Sequence, residues 1–439
     1  MALTRELPGR RDLLALAAAD PTRFPCLLET VVSPQGGRGF DLLFAFPEAR
    51  IEARSDARGF FPAFEDAFRR ERIARPVAPG VPFRGGWVLL LGYEAVAACE
   101  PRLKLPAPDG SIPSALALRC PAAIAYDHAR DRTILVAEDD RPTLLDELER
   151  AIVAAPPAIA PARLGLVPRE DDPQLFLDAV ARVHEYLRAG DVFQVNLSRG
   201  WQVDVPASVS PAALYAALRA ANPAPFAGLL QQPGWSVLSS SPERLVSVAG
   251  NDVQTRPIAG TRPRALGLDD ASNIRELVAH PKERAEHVML IDLERNDLGR
   301  VCVPGSVRVD ELMTVESYAH VHHIVSNVRG TLRAGASPMD VLRAVFPGGT
   351  ITGCPKVRCM EIIAELEQTG RGPYTGALGY LNRDGDMDMN ILIRTLWLDG
   401  GVARLRAGSG IVADSNAQRE LEETRAKARG LLRALAGEF

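Results

Sequence analysis

The sequence predicts an α+β fold built in packed layers, and three observations lead there. Short apolar segments of strand length recur along the chain, amphipathic stretches at helical spacing interrupt them, and the two kinds do not alternate strictly, as a parallel doubly wound sheet would require. At 439 residues, 46% hydrophobic and 24% charged, the chain can bury one very large core or two ordinary ones. It needs neither disulfides nor a structural metal to fold.

Taken in order, Gly86–Tyr93 and Ala122–Tyr126 are short and apolar and read as buried strands, and Thr143–Ala155 reads as an amphipathic helix. The region 1–155 is therefore mixed α and β. The Pro- and Ala-rich stretch Ala154–Arg163 cannot continue a helix through its prolines, which places a linker at 156–168 and a second region at 169–439. In that region Leu177, Val180, Val183 and Leu187 fall at helical spacing within Pro173–Ala189, and Gly190-Asp191 stops the helix before the strand Val192–Leu197. Strands follow at Trp235–Ser239, Arg244–Val248, Gly376–Leu381, Ile391–Leu398 and Val402–Arg406. Helices are expected at Asn273–His280 running into Lys282–Leu290, at Pro338–Phe346, at Lys356–Gln368 and at Glu420–Leu435. No internal repeat of fixed period is present.

Composition excludes several classes of function. A formal net charge of -4 with a pI near 6.1 does not suit a surface for nucleic acid or anionic lipid, and neither partner is expected. Six cysteines are scattered without any C-x-x-C pair and read as reduced core thiols. The charged start Met1–Arg11 lacks the apolar core of a signal peptide, and no run approaches the ~18 apolar residues of a membrane span, so a cytoplasmic protein is expected.

Several local patterns bear on chemistry. Gly408-Ser-Gly-Ile-Val-Ala413 fits G-x-G-x-x-A, but too little chain follows it for a dinucleotide-binding unit. Pro347–Lys356 is glycine-rich, yet Cys354 and Pro355 stand where a phosphate loop requires Lys and Ser or Thr; a backbone anion cradle leading into a helix remains open. Glu283 and Glu286, three apart, share one helical face, and Glu420 and Glu423 repeat that spacing. Two such faces could converge on a hard cation such as Mg²⁺; the spacing fits equally a pair of solvated faces with Glu423 and Lys427 as an i,i+4 ion pair. His322 and His323 point to opposite faces if they lie on a strand, so only one lines a given cavity. In Thr255–Arg264, Pro and Gly fix a turn flanked by hydroxyl and guanidinium groups, as in a binding loop.

Five ordered segments then resemble the chorismate-binding enzymes, a family that includes anthranilate, aminodeoxychorismate, isochorismate and salicylate synthases. They are Ser240-Ser-Pro-Glu-Arg244, Arg256–Arg264, Glu283–Arg300, Phe346–Lys356 and Ala407–Ser415, and the likeness runs from Gln174 to Leu435. The resemblance implies two facing, antiparallel-rich sheets flanked by helices, with chorismate and Mg²⁺ held between them. It implies metal contacts from Glu286 and Glu423 supported by Glu283 and Glu420. It places Glu243 as the acid or base at the ring and His323 beside the departing hydroxyl. Arg394, Gly410 and Lys427 would hold substrate carboxylates, with Gly408 in the same glycine-rich segment and Gly260, Thr261 and Thr350 completing the pocket.

Within the family, Gln194–Leu197, Asn222–Phe226 and Val321–Ser326 resemble aminodeoxychorismate synthase, which implies amination of chorismate at C4 with ammonia from a separate glutamine amidotransferase subunit. Ala259 departs from that pattern, standing where many such enzymes carry a lysine nucleophile, and alanine there resembles anthranilate synthase, the nearest alternative. A catalytically silent regulator of the same fold is the alternative from another class. Leu27–Thr30 resembles part of the tryptophan pocket of feedback-regulated anthranilate synthases but departs from it at Thr30 and in the partner motif, where Phe226-Ala227 replaces a tyrosine-methionine. Leu28, Glu29 and Thr30 therefore read as a relic amino-acid pocket or, preferred here, as a simple edge strand.

Overall fold

The computed structural model describes residues 2–32, 39–54, 57–77, 80–263, 281–317 and 321–439, with the side chains of 259, 261–263, 281–283 and 321 outside the description. Two large sheets carry the fold, and every strand pairing is antiparallel. The first, of 12 strands, runs Ala2–Pro8, Arg132–Glu138, Ala122–Asp127, Phe40–Ala45, Cys26–Glu29, Phe226–Gln232, Trp235–Ser241, Thr395–Asp399, Val402–Ile411, Gln194–Asp204 and Gly353–Cys354, with Arg169–Glu170 added on Gln194–Asp204. The second, of 10, runs Ile258–Pro263, Val321–Thr331, Asp252–Thr255, Arg244–Ala249, Met387–Ile391, Ala377–Asn382, Gly86–Leu91, Ala115–Cys120 and Ala49–Ala53, with Arg308–Ser317 added on Val321–Thr331.

The alternation along single strands shows how the layers stack. In Gly86–Leu91, Val88 and Leu90 face residues of the first sheet such as Phe44, Val237 and Trp397, while Trp87, Leu89 and Leu91 face helices on the outer side. A strand covered on both faces reads as a continuous apolar run, which is how the sequence presents it. The helices Leu13–Ala19, Pro211–Ala221 and Ala417–Ala436 cover the outside of the first sheet. The helices Phe60–Glu71, Pro281–Gly299 and Pro338–Val345 cover the outside of the second, where Phe64 meets Trp87 edge to face at 5.6 Å. The result is a four-layer α/β/β/α stack whose middle core lies between the sheets.

The chain on either side of 156–168 shares both sheets. Cys26–Glu29 pairs with Phe226–Gln232, and Gly86–Leu91 pairs with Ala377–Asn382. The intervening stretch carries no helix or strand and runs back along the last helix, Leu166 N donating to Leu435 O.

Two expectations need correction. Ile391–Leu398 is not one strand: Met387–Ile391 belongs to the second sheet and Thr395–Asp399 to the first, so the apolar run spans a crossing that hydropathy cannot see. Cys26–Glu29 is not an edge strand, because it pairs on both sides, with Phe40–Ala45 as well as Phe226–Gln232. The helix expected at Lys282–Leu290 runs on to Gly299, and Asn273–His280 lies outside the described residues. Caps at the other helices follow the sequence: Asp172 accepts from Gln174 N ahead of Pro173, Gly190 closes that helix at φ 78°, and Asn416 accepts from Arg419 N to start Ala417–Ala436.

Candidate active site

Two predicted residues sit where the chain passes between the sheets. Pro242 and Glu243 form the whole connection from Trp235–Ser241 in the first sheet to Arg244–Ala249 in the second. Arg394 ends the return crossing and holds a left-handed backbone, φ 51°, which in a residue with a Cβ costs about 1–3 kcal/mol. Hydrogen bonds tie the crossings together: Ile391 N donates to Glu243 O (3.0 Å), Ser240 N to Arg394 O (3.1 Å), and Ser241 Oγ to Ile391 O (2.6 Å). The strain at Arg394 is thus held by the surrounding backbone.

The electrostatics of this corner are unusual. Burial pushes the Glu243 carboxyl up to about 8, against the pull of the Thr350 hydroxyl, the Ile258 N–H and Arg394, and with a further push from Glu294. Glu243 is therefore largely protonated at neutral pH. Burial lowers Arg394, opposed by Tyr374, Glu423 and Glu243, and among the described residues its guanidinium meets no hydrogen-bond or ion-pair partner. A desolvated arginine fork left open is suited to a carboxylate. Burial, with Arg394 adding to it, lowers His323 to about 4, so this imidazole is neutral. His323 stands opposite Thr261 in the strand register, and His322 turns the other way to Ser317 (2.8 Å), as alternation requires.

The C-terminal helix supplies the other wall. On its inner face Glu420 accepts from Ser409 Oγ, and Lys427 Nζ donates to Gly408 O (3.0 Å) while pairing with Glu423 (2.7 Å). The i,i+4 pair anticipated from spacing is present; Lys427 ties it to the strand, while the Glu423 side chain stays about half exposed. Burial raises Glu423, yet Lys427, the Ser409 hydroxyl and Arg394 outweigh it and hold the carboxyl below its ordinary range. Gly408 and Gly410 are glycine for want of room. A Cβ at Gly408 would stand 2.6 Å from Leu197 O, and one at Gly410 would stand 2.1 Å from Gln194 Nε2. Around them Gln194 Oε1 and Asn196 Oδ1 are buried and, among the described residues, meet no partner at hydrogen-bonding geometry. Buried polar atoms left open in this way mark a surface shaped for a polar ligand.

Glu286 is half-buried on Pro281–Gly299, the helix that packs against Ile258–Pro263 and Val321–Thr331. Its predicted companion Glu283 is on the same helix, but the side chains of Glu283 and Thr261 lie outside the description. The donors offered are all carboxylate oxygens, which fits a hard cation such as Mg²⁺. Among the described residues, no three His, Cys, Asp or Glu groups converge on one point.

Comparison with known proteins gives this corner its context. The model of the family described as chorismate binding enzyme matches residues 27–433. The chain belongs to that family. It is 43% identical over 365 residues to the aminodeoxychorismate synthase component 1 of Bacillus subtilis (strain 168), covering 80% of this chain and 77% of that protein. It is also 43% identical over 391 residues to the anthranilate synthase component 1 of Streptomyces coelicolor, covering 83% and 76%. Among solved structures, anthranilate synthase component I from Streptococcus pneumoniae superposes with a TM-score of 0.80 at 31% identity, covering 92% of this chain and 94% of that one.

Beside these predicted positions of a chorismate-binding enzyme lie groups that sequence reasoning left without a role. Glu294 is buried on the apolar stripe His287, Leu290, Ile291, Glu294, Leu298, and burial together with Asp297 raises its carboxyl to about 7. A carboxylate on a stripe of otherwise inward positions was the available signal. Arg371, 1% exposed, is gripped by Glu367 (2.7 Å), donates to Asn196 O (2.7 Å) and Ile351 O (3.1 Å), and lies between the rings of Tyr93 and Tyr374. It fixes from behind the two segments that present Asn196 and Thr350.

Leu28, Glu29 and Thr30 border a separate cavity of about 170 Å³ between the sheets, with Phe226, Arg244 and Asp388 across it. Tyr215 OH (2.8 Å) and Arg219 (2.9 Å) already occupy the Glu29 carboxylate, and Arg244 is paired with Asp388 (2.8 Å). No helix among the described residues is long and apolar enough to cross a membrane.

Proposed function

We propose that this chain aminates chorismate at C4 with ammonia, giving 4-amino-4-deoxychorismate, in the cytoplasm and with a glutamine amidotransferase subunit as ammonia source. The observation that carries the reading is the corner of Glu243, Arg394 and His323: a buried acid kept protonated, a guanidinium without a partner among the described residues, and a neutral imidazole. Chorismate carries two carboxylates and a ring hydroxyl that must leave, and these three groups answer those needs.

In the proposed mechanism, Arg394 binds one substrate carboxylate, and Lys427 with the backbone at Gly408 and Gly410 takes the other. The Glu243 carboxyl gives its proton to the departing C4 hydroxyl. His323 is neutral and lies beside that hydroxyl without repelling a protonated leaving group. Thr350, Gly260 and Thr261 line the ring. Mg²⁺ held by Glu286 and Glu423, with Glu283 and Glu420 behind them, would draw electron density toward a substrate carboxylate as the C–O bond weakens.

The second reading is anthranilate formation. It is favoured by Ala259, which excludes a lysine adduct at that position, and by relatives named anthranilate synthase component 1. Product identity separates the two. Purified chain is incubated with chorismate, Mg²⁺ and ammonium, with and without added aminodeoxychorismate lyase. 4-Aminobenzoate appearing only with the lyase supports C4 amination; anthranilate formed without it overturns the C4 reading; unchanged chorismate overturns both.

A further inference from the structure

Along the strand Gln194–Asp204, Val195 and Leu197 are buried beneath the helices Pro173–Ala189 and Lys356–Glu367, so alternation turns Gln194 and Asn196 to the opposite face. Both side chains are buried there, Gln194 at 6% and Asn196 at 8% exposure. Asn196 is held at every polar atom but one. Its N donates to Thr352 O (2.9 Å), its O accepts from Arg371 Nη2 (2.7 Å), and its Nδ2 donates to Thr350 O (3.3 Å). A backbone carbonyl only accepts, so the last of these bonds fixes which way the amide faces. What is left is Oδ1, a buried acceptor that meets no partner among the described residues, and Gln194 Oε1 on the same face is left in the same state.

These acceptors stand at the proposed site. The neighbouring strand is glycine where they need room: Gly410 lies opposite Asn196 in the register, and a Cβ at Gly408 would stand 2.7 Å from Asn196 Oδ1. The turn Gly349–Ile351, which Asn196 grips through Thr350 O, rests on the crossing that carries Glu243. Gly348, just ahead of that turn, packs so closely on Ile391 that a Cβ would stand 2.7 Å from Ile391 Cδ1, and Ile391 N donates to Glu243 O (3.0 Å). We propose that Asn196 Oδ1, with Gln194 Oε1 as second acceptor, is the subsite that holds ammonia for its attack on chorismate. This inference rests on the amination reading, and it holds for attack at either ring position.

The chemistry of the two atoms selects the ligand. Amide oxygens only accept, so they cannot satisfy the carboxylates by which Arg394 and Lys427 would hold chorismate, because an ionised carboxylate only accepts as well. The donors that remain among the reactants are the ring hydroxyl and ammonia. The hydroxyl has one proton to give and can answer one of the two oxygens. Ammonia has three N–H groups and one lone pair, so it can answer both and still direct the lone pair at the ring carbon. An amide also suits ammonia better than an acid would. A carboxylate at position 196 would favour ammonium, which has no lone pair with which to form the C–N bond, whereas a neutral acceptor gives the charged form no such advantage.

The test is Asn196→Leu in the full chain, near in volume and without the acceptor, assayed with Mg²⁺ while ammonia and chorismate are varied in turn. The ammonia concentration for half-maximal rate is expected to rise about fivefold or more, while KM for chorismate stays within about twofold of wild type. A merely structural role, in which Asn196 serves only to hold Thr350, would move KM for chorismate and the melting temperature instead. Gln194→Met removes the second acceptor without touching Thr350, and it is read in the same way should the leucine variant fail to fold. An unchanged ammonia requirement, or a KM for chorismate that rises alongside it, overturns the ammonia subsite while a wild-type chain that aminates leaves the amination reading standing. A wild-type chain that leaves chorismate unchanged overturns the amination reading itself.

Discussion

Glu243→Gln tests the reacting corner most directly, and the structure fixes what the wild type should do beside it. Burial raises the Glu243 carboxyl to about 8, so with an ordinary titration curve it is about nine-tenths protonated at pH 7 and about one-tenth at pH 9. A general acid must be protonated to act, so turnover at saturating chorismate and constant free ammonia should fall through a limb centred near pH 8. Free ammonia has to be held constant, because its own fraction rises over the same range and would mask the limb. Glutamine keeps the size and the contact with Ile258 N but has no proton to give. Loss of a general acid costs about 10²–10⁴ in rate, and the variant should show that loss at pH 7 with its pH limb abolished. Chorismate consumption followed by absorbance or chromatography measures both. A wild-type rate that climbs steadily from pH 7 to 9 at fixed free ammonia, or a glutamine variant within about threefold of wild type, refutes the assignment of Glu243 as the acid.

Three further outcomes follow from the geometry. Glu367→Ala leaves Arg371 buried without its carboxylate, a loss of about 3–5 kcal/mol; with about 2.1 cal/mol/K per residue over 439 residues, the melting temperature should drop by about 3–5 °C by calorimetry. Although burial raises Glu367, Arg371 and Arg406 hold it below its ordinary value, so its contribution is present above the unfolded carboxylate range and is lost as pH falls through the lower folded value; the variant should lose less stability than wild type on acidification. The two glycines should separate: Gly408→Ala meets the backbone at Leu197 O and should lower the melting temperature, whereas Gly410→Ala meets only the end of Gln194 and should raise KM for chorismate with the fold intact. Glu423→Gln should raise the Mg²⁺ concentration needed for half-maximal activity by about tenfold or more, read by metal titration, while circular dichroism stays unchanged.

Much of the fold was legible because burial on both faces leaves a plain mark. Gly86–Leu91 and Ala122–Asp127 read as strands since each of their faces is covered, and Pro173–Ala189 read as a helix because Asp172, Pro173 and Gly190 punctuate it. The failures share one cause. Hydropathy reports that a residue is buried, not which layer buries it, so Ile391–Leu398 looked like one strand although it crosses between sheets, and Cys26–Glu29 looked like an edge although it has neighbours on both sides. The candidate site was read chiefly through the family's ordered segments; spacing alone left Glu420 and Glu423 as an ordinary exposed pair. Glu294 passed unnoticed within one of those segments, because its burial depends on what stands across from it.

The crossings that defeated the strand reading also explain why the proposed site gathers where it does. A residue within a sheet can present its side chain only to one of two layers, both of them filled with apolar groups here. Pro242-Glu243 and Leu392–Arg394 belong to neither sheet, so their side chains enter the gap at the end of the middle core, where an acid can be desolvated without displacing a core residue. Desolvation at that place is what raises Glu243 and lowers His323 together, so that both stay neutral, one by keeping its proton and the other by doing without one. Lengthening the Pro242-Glu243 connection by a single glycine would leave both sheets paired but let water reach the carboxyl. Its titration should then move down toward that of an ordinary glutamate, and turnover at pH 7 should fall with it, although every residue of the site is still present.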